Sequence, residues 1–76
     1  MTYHDAVMAY MHQDPGREYR SIEITRAIFP ELGDDREAVE VKRNAILNVL
    51  RSAERYGFVT RRTPVPHQGD YWRLVE

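Results

Sequence analysis

Six residues of this chain, Glu40, Arg43, Asn44, Leu47, Asn48 and Arg51, recur at intervals of three and four. That spacing collects side chains on one side of a helix. Arginine and asparagine in such a row carry chemistry suited to base edges: a guanidinium grips guanine O6 and N7 through two bonds, and a carboxamide pairs with adenine N6 and N7. Asparagine is a poor interior helix residue, so two of them a turn apart ask for a reason beyond helix formation. Leu47 in their midst suits a thymine methyl or an anchor for a partner protein. The plain alternative is a polar face that keeps a surface helix in water.

Charge gathers around the same stretch. From Lys42 to Arg62 the chain carries Lys42, Arg43, Arg51, Arg55, Arg61 and Arg62 against one acid, Glu54. Residues 1–40 hold four basic residues and nine acids, and residues 41–76 hold seven and three, so a net charge of −1 hides two halves of opposite sign. Arg61 and Arg62 alternate on a strand, which sends one to each face, so one at most meets a groove while the other reaches phosphate. His67 and Gln68 fall at the tip of the following loop, where both can donate hydrogen bonds or serve as ordinary loop polarity. Pro64 and Pro66 stiffen that loop, which lowers the entropy lost on docking or shields a strand edge from another chain.

These residues need a scaffold, and the sequence predicts one of helix, helix, helix and hairpin. Thr2 with Asp5 has the form of a capping box, and Tyr3, Ala6, Val7, Tyr10 and Met11 make an apolar stripe for a first helix over Tyr3 to Gln13. Asp14-Pro15-Gly16 ends it. A short extended run over Arg17 to Arg20 precedes Ser21, read as the N-cap of a second helix, Ile22 to Phe29, with Ile24, Ala27 and Ile28 inward and Pro30 closing it. Asp34 or Asp35 caps a long third helix, 36–56, with Glu37 placed to complete a box from Asp34. Its buried stripe is Val39, the Lys42 stem, Ala45, Ile46, Val49, Leu50, Ala53 and Tyr56, and Gly57 is its left-handed stop. Phe58 to Thr63 and Tyr71 to Val75 alternate as the strands of a hairpin, 58–75, around Pro64 to Asp70. Trp72 belongs to the core, its indole N–H seeking a backbone acceptor.

The order of these elements, and the run Asn44-Ala-Ile-Leu-Asn-Val-Leu-Arg-Ser-Ala-Glu-Arg-Tyr-Gly-Phe-Val-Thr, resemble the winged helix-turn-helix superfamily at its junction of recognition helix and wing. The element order covers nearly the whole chain and the residue pattern about Asn44 to Val59. The third helix is longer at its N-terminal end than the pattern asks. The resemblance implies an α+β fold, a single winged-helix domain over 1–76 with three helices, a two-stranded wing and a short first strand. It also implies double-stranded DNA as partner, with helix 36–56 in the major groove, the hairpin on minor groove or backbone, and helix N-termini on phosphates. Carried onto this chain, the contact residues are Arg36, Lys42, Arg43, Asn44, Leu47, Asn48, Arg51, Arg61, Arg62, His67 and Gln68, and the role is regulation of transcription or replication. One such domain buries only about 600–1,000 Å² on DNA, so a homodimer or tandem sites are expected to supply specificity.

Composition argues against other classes. The chain has no cysteine, which removes disulfides, thiolate zinc sites and cysteine nucleophiles and fits a reducing, cytoplasmic setting. It shows no leader and no apolar run of membrane-spanning length. His4 and His12 lie two turns apart with Met8 between them and do not chelate one ion, so no metal and no cofactor are expected. There is no nucleophile elbow, phosphate-cradling glycine loop or paired carboxylate setting, and too little chain to enclose a pocket, so an enzyme is not expected. The leading rival is a winged helix that docks an acidic partner protein through its basic face without binding DNA. A near-neutral total charge and a pI near 6.3 favour it. A DNA mimic built on Asp34, Asp35, Glu37 and Glu40 is weaker, because acids at a helix start are explained by the helix dipole.

Overall fold

The computed structural model describes residues 2–75 as an α+β domain of three helices and a small antiparallel sheet. In chain order these are α1 (Tyr3–Met11), β1 (Tyr19–Arg20), α2 (Ser21–Ile28), a 3₁₀ turn (Pro30–Leu32), α3 (Arg36–Arg55), β2 (Val59–Arg62) and β3 (Tyr71–Leu74). The sheet runs β1-β3-β2, so the last strand of the chain is its centre.

Local signals fix most element ends. Thr2 and Asp5 form the capping box, each side chain accepting from the other's backbone N–H at 3.2 and 3.4 Å. The helix stops at Met11, short of Gln13, because the amides of Gln13 and Asp14 turn to carbonyls three residues back, Tyr10 and Met11. Asp35 caps α3 by accepting from the Ala38 amide at 3.1 Å. With Asp35 as cap, Ala38 occupies the position a box needs for an acid, so the expected Asp34–Glu37 box is not formed. At the other end of α3, Phe58 N–H reaches Ala53 O at 2.8 Å and Gly57 N–H reaches Glu54 O at 3.1 Å, the paired bonds of a Schellman stop. Gly57 sits at φ 82°, as that stop requires.

Tertiary demands overrule other local signals. Ser21 is the first residue of α2 and not its cap, since Arg20 before it stays extended (φ −93°, ψ 150°) in order to pair with Tyr71. Thr25 is buried in place of Ala27, its hydroxyl donating to Ser21 O at 2.8 Å. Pro30 opens the 3₁₀ turn that follows α2. Tyr56 falls just beyond the last turn of α3 and is 72% exposed, so it leaves the expected stripe.

The core joins both layers: Val7 and Met11 of α1, Ile24 of α2, Ile46, Leu50 and Ala53 of α3, and Tyr19, Val59, Trp72 and Leu74 from the sheet. Trp72 is fully buried on the central strand, opposite Tyr19 on one side and Arg61 on the other. Its indole N–H meets no acceptor among the described residues, contrary to the expectation of a backbone partner. Sheet pairing sets the alternation. Val59, Arg61, Trp72, Leu74 and Tyr19 face the helices, while Thr60, Arg62, Tyr71, Arg73 and Arg20 face away.

Candidate nucleic-acid interface

The 20 residues of α3 extend over ~30 Å, and their 100° steps leave one broad side away from the core. Arg36, Glu40, Asn44, Asn48 and Arg51 all lie exposed on that side, and Arg55 continues the row one turn beyond Arg51. Asn44 and Asn48 form no side-chain hydrogen bond among the described residues, so their carboxamides stay available to an outside partner. Arg51 and Arg55 likewise have no carboxylate within 4.0 Å there. The structure thus brings together the centre of the predicted row and adds a member, Arg55, that the same four-residue spacing could have supplied.

Three members of the predicted set behave differently. Arg43 is held by its neighbour, with Nε and Nη2 donating to the two carboxylate oxygens of Glu40 at 3.2 and 2.6 Å. An exposed pair of this kind is worth only about 0–1 kcal/mol, so it occupies Arg43 without locking it. Leu47 is half-buried and packs on the core, which corrects the expectation of an exposed leucine among the polar residues. Lys42 leaves the opposite side of the helix. Its Nζ donates to the Tyr3 hydroxyl at 2.7 Å and lies 5.3 and 5.1 Å from the rings of Tyr3 and Phe29, which are themselves packed edge to face. The ammonium therefore ties α1 to α3 and does not join the row.

The hairpin divides its arginines as the alternation requires. Arg61 turns toward the helices, 3.4 Å from Glu54 of α3 and 3.7 Å from Asp70, with its guanidinium over the Trp72 ring. Arg62 turns outward and meets Glu18. Between the strands, Thr63 Oγ1 donates to Asp70 at 2.5 Å and closes the loop base. His67 takes a left-handed φ of 69° at the tip, and Gln68 lends its carbonyl to Arg20. Both side chains are exposed, beside Pro64, Val65 and Pro66.

Residues that sequence reasoning passed over lie on the outward face of the sheet. Arg20, Tyr71 and Arg73 join Arg62 there, and the alternation of Tyr71 and Arg73 against the buried Trp72 and Leu74 was a signal for two of them. Elsewhere, a shallow cleft of about 270 Å³ opens between α1 and the sheet, lined by His4, Met8, His12, Phe58, Leu74 and Val75. His12 Nδ1 is 2.7 Å from Met8 O, and no group of three or more potential metal ligands comes together among the described residues. No helix is long and apolar enough to cross a membrane among the described residues. Comparison with protein-family models, curated proteins and solved structures gives no match.

Proposed function

We propose that the chain is a winged-helix protein that binds double-stranded DNA and regulates transcription or replication. In this reading α3 enters the major groove and the hairpin of β2 and β3 is the wing. The observation that carries it is the row Arg36, Asn44, Asn48, Arg51 and Arg55 along the solvent side of one helix, with the Asn side chains unengaged among the described residues. A helix fits the major groove by width, and unengaged carboxamides and guanidiniums are the groups that discriminate base pairs there. At the N-terminal end, Arg36 and the helix dipole suit a phosphate. His67 and Gln68 at the wing tip are placed to meet the backbone beside the groove. The setting that goes with this function is cytoplasmic. Two protomers on adjacent half-sites would supply the area a single module lacks, and the exposed Tyr56, Phe58 and Val75 offer apolar surface for pairing.

A gel shift or NMR titration with duplex DNA at low salt tests the reading. Binding that weakens steeply between low and physiological ionic strength, with shifts centred on Asn44, Asn48 and Arg51, is expected. A flat salt response, or shifts that miss α3, would contradict it.

One observation favours the rival, a winged helix that docks an acidic partner protein without binding DNA. Arg43, Arg61 and Arg62 already sit against carboxylates of the chain itself, which shows these guanidiniums accepting carboxylate partners. Capture of acidic polypeptide in the presence of competing duplex separates the two.

A further inference from the structure

Three guanidinium groups share the outer face of the sheet. Arg20 and Arg62 are both cross-strand partners of Tyr71, so the three side chains form a row across β1, β3 and β2. Arg73, two residues farther along β3, stands on the same face. The two arginines of the row stack on Tyr71, at 5.2 and 4.8 Å from its centroid. With guanidiniums from both flanking strands against it, the ring is engaged, and what the face offers a ligand is positive charge and N–H donors.

Among the described residues, the one carboxylate beside these groups is Glu18. Arg62 Nε and Nη2 donate to its two oxygens at 2.7 and 2.8 Å, the two-bond fork that guanidinium makes equally with carboxylate and phosphate. That hydrogen bonding, with the charges of Arg62 and Arg73, holds the Glu18 carboxyl below its ordinary range. Beside it lies an open groove of about 380 Å³ lined by Glu18, Thr60, Arg61, Arg62 and Arg73. The seat is therefore shaped for an anion, filled by one from the chain, and among the described residues still flanked by more positive charge than Glu18 cancels.

We propose that this outer sheet face is a second nucleic-acid contact surface, distinct from α3, which grips phosphodiester backbone with a phosphate taking the place of Glu18 in the Arg62 fork. Arg20 and Arg73 flank the seat and bind neighbouring phosphates. Nucleic acid fits better than a lipid surface, because Arg20, Thr60, Arg62, Tyr71 and Arg73 present no aliphatic side chain to enter a bilayer. Contact here reads no sequence, since phosphate carries none.

The test measures anisotropy of a labelled random-sequence duplex across a salt series, in a background where Asn44→Ala, Asn48→Ala and Arg51→Ala remove α3 from the measurement. In that background Arg62→Ala with Arg73→Ala is expected to weaken binding about tenfold or more and to reduce the log–log salt slope by about 2. Glu18→Gln is expected to tighten binding at least about threefold, while Glu31→Gln, the same charge change on the 3₁₀ turn, gives under about half of that gain. A gain cannot come from unfolding, so the Glu18 arm stands even if an arginine variant folds poorly. Equal gains from both glutamate changes would overturn the proposal, as would an unaltered salt slope. Binding to phosphatidylserine vesicles that depends on Arg62 and Arg73 while duplex binding does not would overturn it too.

Discussion

The exposed side of α3 and the outer face of the sheet are both rich in arginine, yet they hold it in different ways. On α3 the arginines are spaced by whole turns, and the polar groups between them, Asn44 and Asn48, have no partner among the described residues. On the sheet, Arg20 and Arg62 stack on Tyr71, and Glu18 fills the Arg62 fork. Turn neighbours on a helix pair when their charges are opposite, as Arg43 does with Glu40, but Arg51 and Arg55 have no carboxylate within 4.0 Å among the described residues. Strands lie only about 4.8 Å apart, so outward side chains are pressed into mutual contact. Under the proposed reading, the helix offers groups that can select among bases, and the sheet offers charge without selection.

The largest expected effect tests whether the two surfaces share one foundation. Trp72→Ala removes the buried ring beneath the central strand and should cost about 3–5 kcal/mol by denaturant unfolding. Helical and sheet signals should be lost together, and an α3 signal that survives loss of the sheet would show that the surfaces stand independently. On preferred duplex, Asn48→Ala or Arg51→Ala should cost about 1–3 kcal/mol and relax sequence preference. Arg43→Ala should lose less than Arg51→Ala, because Glu40 already holds Arg43; a larger loss would show that the pair opens on binding. Asp35→Ala, which deletes the α3 cap, should destabilise the fold by about 1 kcal/mol in a thermal melt.

The smallest effect concerns the sheet alone. Glu18 has a lowered pKa when folded, so the stability it contributes is present above the unfolded carboxyl value of about 4.3 and is lost as pH falls through the lower folded value. Unfolding followed from pH 6 to pH 3 should therefore show a slightly steeper acid loss in the parent than in Glu18→Gln. Parallel curves would mean that the Arg62 fork is not held in solution.

Much of the scaffold was legible because its signals span only a few residues. The Thr2–Asp5 box, a cap for α3 at Asp34 or Asp35, the Gly57 stop and the alternation of the two hairpin strands each depend on neighbours within a turn or a strand repeat. The misreadings share a different cause. Ser21 could not be seen as a helical residue without knowing that Arg20 is committed to Tyr71, fifty-one positions on. The Trp72 N–H, the half-burial of Leu47 and the diversion of Lys42 to Tyr3 and Phe29 likewise depend on which elements meet.

The sequence by itself determined the helices, the hairpin and the row of Arg and Asn along α3, because propensity, capping and periodicity act between near neighbours. Only the tertiary structure decided which charges are free. Arg62 meets Glu18, Arg61 meets Glu54 and Asp70, and Arg20 and Arg73 become neighbours of Arg62, through strand register and helix–sheet packing that local spacing does not encode.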